Sequence, residues 1–274
     1  AYRIAGLVPG SLSLILADIL PWDKVFFITA MFMLPGILMT IMVKEPLNIS
    51  FPRSLREAVV EPFREFINRR GWNNALLILI FLFFYKLGDS MCTALATPFY
   101  LDMGFSKTQI GLIAKNAGLW PSVAGGLLGG LWMIKIGINR ALWLFGVVQV
   151  VSILGFLWLA SVGHHPEITT LELTQLAIVI GIEALGVGLG TAAFVAFIAR
   201  TTHPAYTATQ LALFTSLAAM PRTFANAATG WLVESIGWTG FFMLCTLLAL
   251  PGMILLFKVA PWNGSNSLPL PVSR

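Results

Sequence analysis

Six ionisable side chains lie inside apolar segments of this sequence, where water and counter-ions are scarce. They are Arg3, Lys86, Asp89, Lys115, Glu183 and Arg222. A charge at the centre of a lipid bilayer costs about 2.5 to 3.5 kcal/mol on insertion scales, so we expect these side chains to face a water-filled cavity or a partner. Four of them are basic and two are acidic, which leaves a formal excess of +2 (4 − 2) that an anionic ligand would balance.

One apolar segment carries polar side chains at helical steps. Lys86, Asp89, Thr93 and Thr97 follow one another at intervals of three or four residues, which places them along one face of a helix. We expect that face to look into the cavity. An alternative stays open, in which Lys86 and Asp89 form a self-compensating ion pair that only makes the segment tolerable in a membrane.

Other charges in these segments have polar neighbours. Arg222 and Asn226 lie one helical turn apart, and Asn116 directly follows Lys115. Arg3 is the weakest candidate because its segment begins abruptly, and Arg222 has the alternative role of holding helices together. The candidates for contacting a ligand are Lys86, Lys115, Asn116, Gln210, Arg222, Asn226 and Arg3.

The composition excludes a water-soluble domain. Hydrophobic residues make up 57% of the 274 residues and charged residues only 11%, and the mean hydropathy is +0.84. The net charge of +5 is therefore not an indication of nucleic-acid binding. Cys92 and Cys245 both fall in apolar segments, where we expect small packing residues and not a disulfide.

Eight apolar stretches are long enough to cross a hydrocarbon core of about 30 Å. Each must be a helix, because an open sheet would leave backbone groups unpaired in lipid. The sequence therefore predicts an all-α polytopic membrane protein. The predicted spans are Ala1–Leu20, Val25–Val43, Ala75–Phe99, Lys107–Ile134, Ala141–Val162, Leu173–Arg200, Ala208–Glu234 and Phe241–Val259.

Basic residues outside the spans concentrate in alternate loops, which predicts that these loops are cytoplasmic. The opposite loops contain only two basic residues, Lys24 and Lys107, and their other charged residues are acidic. The basic set is Lys44, Arg53, Arg56, Arg64, Arg69, Arg70, Lys135, Arg140, Arg200, Lys258 and Arg274.

The longest connection, residues 44–74, contains an amphipathic pattern. Leu55, Val59, Phe63, Phe66 and Ile67 recur at helical spacing, and charged residues fill the other face. We expect a helix on the cytoplasmic membrane surface, capped by Ser54 and kinked by Pro62, that joins two bundles. A regulatory docking site is the alternative.

The sequence contains an internal repeat that relates its first two spans to its last two. Asp18, Trp22, Phe26, Leu34, Pro35 and Gly36 align without a gap with Glu234, Trp238, Phe242, Leu250, Pro251 and Gly252. Six spans separate equivalent positions, so the repeating unit is a six-helix bundle, as in major facilitator transporters. The hypothesis is that this chain has eight of twelve helices and lacks the first four.

This organisation predicts four parts of the chain. Residues 1–43 hold the last two helices of the N-terminal half, and residues 44–74 form the linker. Residues 75–260 form the C-terminal six-helix half, and residues 261–274 form a cytoplasmic tail.

Five strings resemble the AmpG family of anhydromuropeptide permeases, and they are spread over nearly the whole chain. They are AVVEPFREF at 58–66, YKLGD at 85–89, GTAAFVAF at 190–197, ATQLAL at 208–213 and GWLVE at 230–234. The resemblance implies import of N-acetylglucosaminyl-anhydromuramyl fragments, with or without their peptides, across the bacterial inner membrane for cell-wall recycling. It also implies proton symport. The negative lactyl carboxylate of muramic acid would balance the formal excess of +2 among the ionisable residues of the spans. A major facilitator symporter for another anionic sugar or peptide-like solute is the alternative.

Proton symport needs a carboxylate whose protonation depends on the state of the cavity. Asp89 and Glu183 are the only acids away from the ends of the predicted spans, since Asp18 and Glu234 lie at span ends. Protonation of Asp89 would free Lys86 for the substrate carboxylate, so we favour Asp89 as the coupling residue. Glu183 has no basic neighbour in its own helix, and it is either the proton carrier or a neutral, hydrogen-bonded group.

The remaining motifs do not indicate catalysis, a metal or a cofactor. The glycines of 186–190 and Gly125, Gly126, Gly129 and Gly130 indicate close helix packing and not a phosphate loop. Residues 130–140 resemble the basic cytoplasmic loop of major facilitators, without its usual aspartate. His164 and His165 lack the further ligands of a metal site. A membrane-embedded transferase and a non-transporting sensor are the rival classes, and we expect neither an enzyme nor an obligate protein partner.

Overall fold

The computed structural model describes residue 16 and residues 20–43, 55–106, 109–163 and 168–264. The chain forms two compact units, Ala1–Phe51 and Pro52–Arg274, and each is described by itself. Within the described ranges all regular secondary structure is helical. This agrees with the all-α polytopic class predicted from the sequence.

Over residues 20–43, the first unit contains two helices, α1 (Trp22–Met31) and α2 (Leu34–Met42). Pro35 lies in the first turn of α2, where a residue without an N–H loses no helical hydrogen bond. Together α1 and α2 form an apolar stretch, Trp22–Met42, long enough to cross a bilayer. Of the predicted span Ala1–Leu20, all residues but Leu16 and Leu20 lie outside the described part of the chain.

The second unit begins with the linker helix α3 (Leu55–Arg70), which ends at Gly71 with a φ of 75°. The next membrane stretch, Trp72–Asp102, consists of three consecutive helices: α4 (Trp72–Tyr85), α5 (Leu87–Ala94) and α6 (Ala96–Asp102). Ser54, the predicted cap of α3, lies outside the described residues. Pro62 lies inside α3, as predicted.

A π-helical turn, Ile110–Ala114, leads into α7 (Lys115–Val162), which is followed by α8 (Thr170–Thr201). A short 3-10 turn, Pro204–Tyr206, precedes α9 (Thr207–Val259). Helix α8 starts with a capping box, in which Thr169 and Glu172 satisfy backbone N–H groups of the first turn.

The two longest helices are each interrupted at one glycine. Gly137 in α7 and Gly237 in α9 have positive φ values of 80° and 68°, which only glycine adopts without strain. Both glycines fall in loops predicted between spans. We call the segments on either side α7a (115–136) and α7b (138–162), and α9a (207–236) and α9b (238–259).

Two buried apolar clusters fill the second unit. The Phe156 cluster includes Met91, Phe99, Ile153, Phe156, Ile180, Phe242 and Ala249. The Phe81 cluster includes Ala75, Phe81, Tyr85, Phe145, Leu189, Phe194, Phe214 and Leu256. Large apolar side chains such as Trp231 and Phe257 are exposed, as expected of a surface that faces lipid. Cys92 and Cys245 are both free and buried, which confirms their prediction as packing residues.

Candidate functional site

The candidate site lies where the stretch Trp72–Asp102 is interrupted. Lys86 ends α4 and precedes α5, with φ −104° and ψ −1°, and a second interruption occurs at Leu95. The Lys86 Nζ donates a hydrogen bond of 3.1 Å to Asp89 Oδ2, and only 12% and 13% of the two side chains are exposed. Thr93 and Thr97 are exposed on the following turns. Interrupted helices in transporters commonly carry substrate and ion sites.

Close packing against α9b fixes the position of this interruption. A Cβ atom at Gly88 would lie 2.5 Å from the backbone oxygen of Cys245 and 2.8 Å from Cβ of Ala249. A Cβ atom at Gly252 would lie 2.7 Å from Cα of Tyr85. These distances are shorter than van der Waals contact, so only glycine permits the approach. The Lys86–Asp89 ion pair therefore lies where α4 and α5 pack closely against α9b.

A level of polar side chains separates the two apolar clusters, and we call it the polar layer. Polar residues lie between the buried members of the two clusters on α4 and α5, on α7b and on α8. They are Lys86, Asp89, Ser90, Gln149, Ser152 and Glu183. Gln149, Ser152 and Glu183 are all buried. The polar layer therefore places Asp89 and Glu183, the two acids singled out by the sequence, at the same level of the bundle.

A small cavity of about 10 Å³ adjoins Asp89 within the polar layer. Tyr85, Gln149 and Met253 are among the residues that line it, and the Tyr85 hydroxyl donates to the backbone oxygen of Leu142 at 2.9 Å. Among the described residues, Nε2 of Gln149 finds no hydrogen-bond acceptor. The volume suits a single water molecule. Gln149 is not among the residues predicted from the sequence, because it is not ionisable. The signal that could have found it is the presence of two polar residues, Gln149 and Ser152, within one apolar span.

Several predicted residues are located only by their backbone or not at all. Lys115 is the first residue of α7, and Arg222 and Asn226 lie in α9a. Asn116 follows Lys115 and is exposed. Arg3 lies outside the described residues. The structure brings together Lys86 and Asp89, whereas the ligand contacts of Arg3, Lys115, Arg222 and Asn226 stay predictions.

Gln210 lies in a hydrogen-bonded network at the end of the unit where α3 packs, which we call the linker network. Its Nε2 donates to the Glu65 carboxylate at 2.7 Å and to the Pro62 carbonyl at 2.8 Å. Its Oε1 accepts from the backbone N–H of His203 at 2.7 Å. Arg69 completes the network, with 2.6 Å to Glu65 and 2.9 Å to the Thr201 carbonyl. Gln210 is only 1% exposed.

Apolar packing and charge accompany the linker network. The ring of Phe66 on α3 lies 4.9 Å from the ring of Phe214 on α9a in an edge contact. Burial, together with the positive charge of Arg69, lowers the pKa of the neighbouring Arg70 guanidinium, while Glu65 opposes that change. The linker helix is therefore fastened to the rest of the second unit by apolar packing and by hydrogen bonds.

The glycine-rich segments pack helices closely, as predicted for some of their members. A Cβ atom at Gly188 would lie 2.3 Å from the Ser122 carbonyl, and one at Gly125 would lie 2.3 Å from the Leu185 carbonyl. Gly126 and Gly130 instead have no described atom within 4 Å of such a Cβ position. His164 and His165 lie outside the described residues. Within the described ranges no group of three potential metal ligands occurs.

Comparison with known proteins identifies relatives over nearly the whole chain. No protein-family model matches the sequence. A protein of Haemophilus influenzae Rd described as uncharacterized is 52% identical over 270 residues, which are 97% of this chain and 64% of that protein. The anhydromuropeptide permease of Escherichia coli K12 is 38% identical over 258 residues, 93% of this chain and 50% of that protein. The putative transporter AmpG 4 of Rickettsia felis is 35% identical over 263 residues, 93% of this chain and 61% of that protein.

The chain thus spans between half and two thirds of the length of these curated relatives. Its described part also contains five helical stretches that are long and apolar enough to cross a membrane. Relatives named as permeases and transporters, together with these helices, show a multi-pass membrane protein.

Proposed function

We propose that this chain, a homologue of the AmpG anhydromuropeptide permeases, is part of a secondary transporter that imports anhydromuropeptides by proton symport. The single observation that supports the proposal most is the 38% identity to a named anhydromuropeptide permease over 93% of the chain. Symport of another anionic sugar or peptide-like solute is the second candidate, because the charges of the site select for an anion and do not by themselves select for a muropeptide.

The interrupted helix supports a transport site in the second unit. Lys86 and Asp89 form an ion pair in the polar layer, between two apolar clusters, at the one-residue break between α4 and α5. A buried ion pair contributes little to stability compared with apolar residues of the same size, so its presence favours a functional role. We propose that the major facilitator arrangement of two six-helix halves surrounds this layer, with the second unit forming most of the C-terminal half.

Substrate binding is proposed for the basic and amide side chains singled out by the sequence. In this proposal Lys86, Lys115 and Arg222 bind carboxylates of the substrate, and Asn116 and Asn226 hydrogen-bond to its sugar or peptide groups. Arg3 belongs to the same proposed set. The hydrogen bonds of Gln210 to α3 support a different role for that residue, namely fastening the linker helix.

Proton coupling is proposed for the acids of the polar layer. When Asp89 is ionised it accepts the hydrogen bond from Lys86. Protonation would remove that charge and release the lysine to bind the substrate carboxylate, which links proton and substrate binding. Glu183, buried at the same level of the bundle, is the alternative proton carrier.

The proposed location is the bacterial inner membrane, with the linker helix and the C-terminal tail in the cytoplasm. The distribution of lysines and arginines supports this orientation. The relatives are named as permeases or transporters, so no catalytic residue, cofactor or obligate protein partner is proposed.

Uptake by the full-length protein in membrane vesicles tests the function. Radiolabelled anhydromuropeptide should accumulate above its external concentration when an inward proton gradient is imposed, and only equilibrate when the gradient is collapsed. An unrelated anionic sugar taken up equally well would favour the second candidate. Binding without uptake would indicate a sensor, and chemical conversion of the ligand would indicate an enzyme.

A further inference from the structure

A polar pocket lies far from Asp89 in the sequence and outside the proposed transport site. It has a volume of about 290 Å³ and lies beside the turn between α7a and α7b, against the residues that follow α9b. Its polar lining includes Lys135, Asn139, Arg140 and Asn263, together with Trp262. Neither an aspartate nor a glutamate is among the described residues that line it. We call it the basic pocket.

Hydrogen bonds hold the two walls of the basic pocket together. The Asn139 amide donates to the carbonyls of Pro261 and Gly264 at 3.1 and 3.3 Å. The indole N–H of Trp143 donates to the Ala260 carbonyl at 3.1 Å. The chain after α9b is therefore fastened onto the first turns of α7b, and the pocket is a built feature of the fold.

Positive charge dominates the basic pocket. Lys135 and Arg140 are exposed, and the described residues provide no carboxylate partner for either. The Arg140 guanidinium lies 5.9 Å from the centre of the Trp262 ring and donates a long hydrogen bond of 3.4 Å to Asn263. Behind the pocket, Arg200 donates to the Asn139 side chain at 2.7 Å and adds a third positive charge. An acceptor-rich anion is the ligand that these donors match.

The basic pocket lies at the end of apolar helices, and this position indicates which kind of molecule carries the anionic group. Lys135 directly follows Ile134, which is 82% exposed, and Trp262 is 44% exposed. Tryptophan and basic side chains at the end of a membrane helix lie at the level of lipid headgroups. We propose that the basic pocket binds the phosphate group of an anionic phospholipid. A free phosphate ion is the other source of the same chemistry.

Native mass spectrometry of the full-length protein in detergent tests this inference with phosphatidylglycerol as the probe and phosphatidylcholine as the reference lipid. Replacing both basic side chains, Lys135→Gln with Arg140→Gln, should weaken phosphatidylglycerol binding by about tenfold or more. Phosphatidylcholine binding should not change. Lys258→Gln removes an exposed lysine outside the pocket lining and is the matched control, so it should leave the affinity unchanged.

Two outcomes would overturn the proposal: phosphatidylglycerol binding by the double variant that equals that of the unaltered protein, or an equal loss of binding in the double variant and in the Lys258→Gln control. Lys135→Glu provides a second variant in case the double variant folds poorly, since reversing one exposed charge should also abolish the preference for the anionic lipid. Inorganic phosphate is added in a separate arm. Competition with phosphatidylglycerol at millimolar phosphate would assign the site to the free ion, whereas no competition supports the lipid. The readout is independent of transport, so it stands even if the proposed function fails.

Discussion

The Lys86 ammonium lies 3.1 Å from the Asp89 carboxylate at the interruption between α4 and α5, and both side chains are largely buried. Within the described residues, each of these two side chains forms its ion pair with the other. Removing one member of such a pair leaves an uncompensated charge, which costs about 3 to 5 kcal/mol in buried sites. The pair is therefore suited to a switch, because a proton on Asp89 or an anion near Lys86 changes the same interaction.

Asp89→Asn should abolish uphill accumulation while counterflow of preloaded substrate survives. The amide keeps the shape of the protonated acid but cannot release a proton, so the transporter exchanges substrate without coupling. Lys86 then lacks its local counter-charge, so the affinity for the anionic substrate should rise and substrate release should be slower. Radiolabelled uptake and counterflow in the same vesicles measure both quantities.

Glu183→Gln is the matched comparison for the coupling residue, because Glu183 is the other acid of the polar layer. It should keep accumulation that depends on the pH gradient. If it instead loses accumulation while Asp89→Asn remains pH-driven, the coupling assignment moves to Glu183. Asp89 would then be the structural partner of Lys86.

Lys115→Ala and Arg222→Ala, each in the full-length protein, should raise the transport KM for anhydromuropeptide. The reason is the loss of a charge-assisted hydrogen bond to a substrate carboxylate, worth about 1.5 to 3 kcal/mol. An analogue with an amidated lactyl carboxylate should be much less affected. Equal effects on both ligands would assign the two residues to support of the fold.

Gln210→Leu should lower stability and leave the substrate KM unchanged. Leucine keeps the volume but leaves the buried Pro62 carbonyl and the His203 N–H without their hydrogen bonds to Gln210, at a cost of about 1 to 3 kcal/mol. The Glu65 carboxylate loses one hydrogen bond and keeps its contact with Arg69. Thermal unfolding in detergent measures the change. Thr215→Ala is the control on the same helix, because the exposed Thr215 hydroxyl bonds only within α9a. A raised KM at unchanged stability would return Gln210 to the substrate site.

Gly88→Ala should destabilise the second unit by about 1 to 3 kcal/mol, because the added methyl group would meet a backbone oxygen that cannot move aside. Gly230→Ala offers the contrasting case, since no described atom lies within 4 Å of its Cβ position in helix α9. That substitution should be neutral or stabilise by about 0.5 to 1 kcal/mol. Similar unfolding temperatures for both variants would contradict the close packing of α5 on α9b.

The sequence by itself determined the class of the protein and the position of several of its helices. Apolar stretches of sufficient length have no stable alternative to helices in lipid, because any other conformation would leave backbone groups without hydrogen bonds. The pairing of Lys86 with Asp89 also followed from their spacing of three residues. The resemblance to the AmpG family, which the relatives confirm, rests in part on the string YKLGD at 85–89, and this string contains both residues.

Only the tertiary structure decided what lies opposite each helix. Gln210 is a polar residue near the end of an apolar segment, and its spacing cannot reveal that its partners, Glu65 and Pro62, come from the linker helix. Gln149 lines the same small cavity as Asp89 only because α7b packs against α5. Lys135 and Arg140 line a pocket only because the residues that follow α9b pack beside them. Local periodicity fixes which face a side chain occupies, whereas contacts between distant segments depend on how whole helices pack, and no local pattern encodes that.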